Sequence, residues 1–152
     1  PATLEWTTPG GFTAAYGNMV DQTALTSLTT AYQRVSGMSS QGDISGMTFN
    51  SASDKLTVTN AGVYKVTSYA AFTNVGTNQA IYIRPYKNGS ETSLINYMNT
   101  RNAGSGNEAL SVFVQGFLSL DAGDYIQMYI KSLSNDNTLY VYNCTLSLLR
   151  VA

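Results

Sequence analysis

Histidine is absent from this chain, and cysteine occurs once, at Cys144. A single cysteine forms no internal disulfide. Without an imidazole, a serine or cysteine nucleophile lacks its usual base, and a metal lacks its commonest ligand. Charge is scarce as well. Only 11% of the 152 residues are Asp, Glu, Lys or Arg, against roughly 25% in an average protein. The formal net charge is −1, so no field steers the chain to nucleic acid or to anionic lipid. No apolar run approaches the roughly 20 residues that a membrane helix needs. The opening PATLEWTTPGGF has neither the basic start nor the apolar stretch of a secretory signal. Its first residue, Pro1, is consistent with removal of an initiator methionine, and the expectation is a complete small chain made in a cytoplasm. Helix periodicity is weak throughout. The best candidate, residues 21–32, is crowded with Thr and Ser and reads as an irregular or extended segment with one helical turn at most.

What replaces the missing charge is Ser, Thr, Asn, Gln and Gly, which make a neutral polar surface. Hydrophobic residues amount to 43%, and the length suffices for one domain with a core. Strand patterns recur at regular spacing. FTAAYGNMV and TAYQRVSGM read as two early short strands, and GMTFNS with KLTVTN as a short hairpin or a pair of edge strands. GVYKVTSYAAF is a long strand. AIYIRPYKNG is another, with Pro85 arguing for an edge or a bulge. The dipeptide Asn88-Gly89 is a strong hairpin turn, and TSLINYMNTR follows as its partner strand. NEALSVFVQGFLSL, DYIQMYIKSL and TLYVYNCTLSLLRV complete the set, with DAGD as a turn. Eight main strands and two minor ones, with no helices between them, predict an antiparallel sandwich. No solenoid or propeller period and no Gly-X-Y run occurs. Residues 1–13 read as an arm before a domain at 14–152.

These strands carry motifs that resemble the complement C1q and tumour necrosis factor superfamily. AGVYKV resembles that family's Gly-x-Tyr-x-Phe strand through Gly62 and Tyr64, with Val66 in place of the usual Phe. KNG, with Asn88 and Gly89, resembles its hairpin. LSLDAGDYIQMYI resembles its Leu-x-x-Gly-Asp-x-Ile signature through Leu120, Gly123, Asp124 and Ile126, and CTLSLLRV its last strand. The resemblance implies a ten-strand jelly roll and a compact homotrimer. The chain has no collagen stalk and no secretory signal, and its Asn- and Thr-rich form is similar to C1q-like domains of bacteriophage virions. Those domains serve as capsid decoration (cement) proteins, head fibres or tail-fibre knobs. The expectation that follows is a structural virion protein, not an enzyme, on the capsid exterior, with itself and the major capsid protein as partners. The alternative is a fibre tip that recognises a host surface glycan or protein.

Several residues are candidates for that work. In ALSVFVQGFLSL, Leu110, Val112, Val114, Leu118 and Leu120 share one face, while Phe113 and Phe117 share the other with Ser111 and Gln115. A lone sandwich makes its outer face polar, so Phe113, Phe117 and Tyr69 are expected at a trimer interface, or else under a loop or the arm. In the arm, Leu4, Trp6 and Phe12 lie in a segment too short for its own core. They are expected to dock on a capsid shell, unless they fold back on the jelly roll. The 11 tyrosines suit wet interfaces, sugar stacking or plain strand propensity. Asp121 and Asp124 flank a tight turn and read as turn caps before they read as calcium ligands. Asp43, Asp54 and Asp136 look isolated in loops. Cys144, on one alternating face with Tyr140, Tyr142, Leu146 and Leu148, reads as a core residue. No cofactor is expected.

Overall fold

In the computed structural model, which describes residues 14–21, 28–40, 42–74, 79–100, 108–133 and 139–152, the chain folds into two antiparallel sheets. The first sheet holds β10 (Glu108–Leu120), β6 (Gly62–Asn74), β12 (Leu139–Arg150), β1 (Tyr16–Asp21) and β3 (Ser39–Ser40), in that spatial order. The second holds β4 (Met47–Asn50), β5 (Lys55–Val58), β11 (Tyr125–Ser132), β7 (Gln79–Lys87) and β8 (Ser90–Glu91). There, β2 (Gln33–Arg34) pairs with β11, and β9 (Asn96–Thr100) pairs with β7. Neighbours in space are mostly distant in sequence, as in a jelly roll.

Period-two patterning explains why these segments are strands and where the core lies. On β6, Tyr64, Val66, Ser68, Ala70 and Phe72 are buried. Val112, Val114 and Leu120 of β10 face the same side, with Cys144, Leu146 and Leu148 of β12. Against them the second sheet sets Leu56 and Val58, Ile81 and Ile83, and Ile126, Met128 and Ile130. Cys144 is therefore a core residue.

The structure departs from the sequence pattern in four places. TAYQRVSGM is two strands of two residues each, β2 in one sheet and β3 in the other. The chain crosses between the sheets with Val35 and Met38 buried and Gly37 at φ 81°. The hairpin partner of β7 is also divided, so that twelve strands are assigned among the described residues where ten segments were expected. β8 follows the turn, residues 92–95 leave the sheet, and β9 resumes the pairing. That gap accommodates Pro85. β7 is an interior strand, not an edge, but the Pro85 carbonyl accepts a hydrogen bond from Thr92 Oγ1 at 2.7 Å. In an antiparallel ladder a residue's nitrogen and carbonyl point the same way, so the missing N–H faces the interruption. Finally, the register of β12 shifts between Val141, opposite Phe72, and Asn143, opposite Ala71. The bulge at Tyr142 breaks the single alternating face assumed for Tyr140, Tyr142 and Cys144. Half of the 21–32 segment, residues 22–27, lies outside the described residues.

The motif residues of the family resemblance gather at one end of the sandwich. Gly62 pairs with Leu120, and a Cβ on Gly62 would sit 2.3 Å from the Ala152 carbonyl oxygen and 2.5 Å from Arg150 Nε. The ring of Tyr64 is fully buried and its hydroxyl donates to the Asn60 carbonyl at 2.8 Å. Asn88 and Gly89 have φ of 51° and 77°, the pair of positive values that a type I′ turn requires. This hairpin turn is clasped to the DAGD turn. Asn88 N donates to the Tyr125 carbonyl at 3.0 Å and Tyr125 N donates to Asn88 Oδ1 at 2.9 Å. Asn88 Nδ2 donates to Asp124 Oδ1 at 2.6 Å, and Asp121 N donates to Asp124 Oδ2 at 2.7 Å. Lys87 Nζ reaches Asp124 Oδ2 at 2.7 Å and the Ser119 carbonyl at 2.9 Å. Asp124 is thus a turn cap, and its acceptor sites are committed to protein donors. Asp54, by contrast, is not an idle loop residue. It is 2% exposed, accepts from Met38 N at 2.9 Å and pairs with Arg34 at 3.5 Å.

Two outcomes follow. The hydrogen bond from Lys87, with those from Asn88 and the Asp121 amide, outweighs partial burial and lowers Asp124 to a pKa of about 2. Its contribution to stability is complete above the unfolded value of about 3.9 and is lost as pH falls through the folded one. In urea titrations, Asp124→Asn at pH 7 is expected to cost about 1–2 kcal/mol and to flatten the loss of stability that the unmodified chain shows on acidification. Gly62→Ala is expected to cost about 1–3 kcal/mol in the same assay, because backbone rather than a flexible side-chain tip meets the added methyl.

Candidate interaction faces

The outer face of the first sheet is built in rows, because strand pairing carries side chains of equal parity across the sheet. One row reads Phe117, Lys65, Leu149, Tyr16. The next reads Gln115, Thr67, Ser147, Asn18, and the third Phe113, Tyr69, Thr145, Val20. Two apolar, aromatic-bearing rows therefore flank a polar one. Phe113 is 59% exposed and Phe117 61%, whereas their neighbours Val112 and Val114 point inward and are buried. Tyr69 is half-buried beside Phe113, and Leu149 and Tyr16 are 46% and 43% exposed. The three residues expected to share a face do share it. Leu149 and Tyr16 were missed, although the period-two pattern of SLLRV already set Leu149 opposite to Leu148.

Phenylalanine at this exposure leaves most of a large apolar side chain in water, where a solvated antiparallel sheet carries polar groups. No arm or loop among the described residues covers either ring. Hollows lie along the face, one lined by Lys65, Thr67, Ser147, Leu148 and Leu149, and one by Tyr16, Gly17, Asn18, Asp43, Ser147 and Leu148.

The outer face of the second sheet is different in kind. Pairing of β7 with β11 sets Tyr82 beside Lys131, Arg84 beside Tyr129 and Tyr86 beside Gln127. Tyr86 and Tyr129 stack with centroids 3.8 Å apart, and Tyr32 meets Tyr86 edge-on at 5.8 Å. Lys131 Nζ lies 4.5 Å from the Tyr32 ring centre and 5.1 Å from that of Tyr82, and Lys55 Nζ lies 4.4 Å from that of Tyr125. The Arg84 guanidinium lies 5.1 Å from the Tyr32 ring and also pairs with Glu91, which accepts from the Tyr86 hydroxyl at 3.2 Å. Burial pushes the Tyr32 and Tyr86 phenols above their usual pKa, and Arg84 opposes it. Cation–π contacts of this kind contribute about 0.5–1 kcal/mol each. The two to Tyr32 strap the 28–34 segment onto the sheet, and the whole set draws on three of the eight Lys and Arg residues of the chain. The abundance of tyrosine is plain in the sequence, but this grouping is not, since it depends on which strands lie side by side.

Leu4, Trp6 and Phe12, the expected docking residues, lie outside the described residues, as does Asp136. Asp43 is exposed. Among the described residues no three His, Cys, Asp or Glu side chains group to hold a metal ion, and no helix is long and apolar enough to cross a membrane.

No family model and no curated protein sequence matches the chain. Solved structures do. The structure of Eiger TNF from S. frugiperda superposes with a TM-score of 0.61 and 12% identity, covering 91% of this chain and 93% of that one. The crystal structure of murine APRIL at pH 8.5 superposes with a TM-score of 0.53 and 14% identity, covering 91% of this chain and 100% of the other. At such identities the likeness is one of fold, and the fold of this chain is a jelly-roll sandwich of the C1q and tumour necrosis factor type.

Proposed function

We propose that the protein is a non-enzymatic structural module that works as a homotrimer, packed through the outer face of the β10–β6–β12–β1 sheet, and decorates a virion surface as a capsid cement knob. The observation that carries the assembly is the pair of aromatic-bearing rows on that face, with Phe113 and Phe117 each more than half exposed. Large apolar patches on a soluble surface mark interaction sites. A second copy supplies the same kind of apolar surface. The virion reading rests on the Asn- and Thr-rich sequence and its likeness to phage C1q-like domains. In this mechanism the trimer ties neighbouring capsid subunits by added buried interface. Three linked copies multiply contacts that are weak singly. A surface with little charge lets many copies crowd a shell without long-range repulsion.

A second reading, a fibre tip that grips a host surface glycan or protein, draws on the tyrosine and cation grouping of the other sheet. Rings and cations there alternate across β7 and β11.

Sedimentation velocity checks the assembly. Phe113→Asp is expected to cost at least about 2 kcal/mol per contact and to convert the species from trimer to monomer with unchanged circular dichroism. A variant that remains fully trimeric overturns the placement of Phe113. Quantitative mass spectrometry of purified particles checks the role. Hundreds of copies, in threes per icosahedral position, fit decoration, and a few to a few dozen fit a fibre tip. Absence from particles overturns both.

A further inference from the structure

Across the three rows of the first sheet's outer face, Lys65 is the one charged side chain. It stands between Phe117 and Leu149, partly buried, and forms no ion pair among the described residues. A carboxylate, Asp43, stands exposed at the rim of the hollow formed by Tyr16, Asn18 and Ser147. It too has no ion pair among the described residues. The two hollows adjoin, sharing Ser147 and Leu148, with the cation at one end and the anion at the other. Within one copy the two groups do not meet. From Lys65 the ladder runs through Leu149 and Tyr16 to Ser45, which bridges Tyr16 two residues from Asp43. Three strand spacings separate the backbones, about 14 Å.

In a closed ring one end of each copy meets the other end of the next, and such a contact brings cation to anion. An ammonium enclosed between Phe117 and Leu149 without a counter-charge would oppose assembly.

We infer that Lys65 of each copy forms an ion pair with Asp43 of the neighbouring copy. The inference rests on the trimer reading above. The pair gives orientation more than affinity, because wrong placements bring Lys65 against Lys65 or leave it unpaired.

A charge swap tests it, with assembly followed by sedimentation equilibrium at physiological salt and folding by circular dichroism. Lys65→Asp and Asp43→Lys are each expected to weaken trimer formation by roughly tenfold or more, and the double variant to recover to within about threefold of the unmodified chain. Single variants that assemble normally, or a double variant no better than the weaker single, overturn the pair while leaving the trimer standing. A monomeric unmodified chain overturns the trimer and the pair together. Should Lys65→Asp fail to fold, Lys65→Gln, Asp43→Asn and their combination complete the same cycle. Losses in the double variant smaller than the sum of the singles support the pair, and strictly additive losses overturn it.

Discussion

The molecule depends on β6 being hydrogen-bonded along both of its sides. From Gly62 to Asn74 it pairs residue by residue with β10, and over most of that length with β12. Every other feature is hung on that register. Because the two ladders fix the parity of three long strands at once, Tyr64, Val66, Ala70 and Phe72 must turn inward together with Val112, Val114, Leu146 and Leu148. A slip by one residue would send the core into water and draw Lys65 and Thr67 into it. The same constraint dictates the outer rows. Phe113 stands beside Tyr69, and Phe117 in line with Leu149, for no local reason. They do so because the inner faces leave no other register.

Much of this was legible in the sequence, and the reasons are physical. Long strands announce themselves through side-chain alternation, and the Asn88-Gly89 turn through the backbone conformation it needs. The motif residues Gly62, Asp124 and Ile126 were recognisable because each meets a distinct local need. Gly62 leaves room for a crossing carbonyl, Asp124 caps two turns, and Ile126 supplies a fully buried side chain. The exposure of Phe113 and Phe117 followed from parity alone. What was not legible depends on interruptions and on non-local neighbours. Two-residue strands such as β2, β3 and β8 have too few residues to show a period. The bulge at Tyr142 inserts one residue into a pattern that still looks continuous. Pro85 is tolerated inside a sheet only because the chain opposite has stepped away at residues 92–95. Asp54 looked like one more loop acid because its partners, Arg34 and the Met38 amide, come from a segment that the sheets fold over it.

Scarcity of charge gives the remaining charges individual meaning. In an ordinary surface a lysine is one among many and is paired or screened by its surroundings. Here Lys87 is committed to Asp124, Arg84 to Glu91, Arg34 to Asp54, and Lys55 and Lys131 to tyrosine rings. The two outer faces consequently differ in chemistry, one nearly uncharged and apolar in rows, the other tyrosine-rich and cationic. A module with two such faces can associate with copies of itself through one and present the other outward without the two surfaces competing.

The position of β10 has a further consequence for the life of the chain before it assembles. It is a thirteen-residue edge strand that pairs with β6 on one side. On its other side, Asn96 Nδ2 donates to the Phe113 carbonyl. A long edge with exposed phenylalanines is a template for adding a foreign strand. If copies pack through the outer face as proposed, that packing withdraws the phenylalanine rings of this edge from water, and the speed of pairing, relative to the concentration of unpaired chains, becomes a condition of solubility.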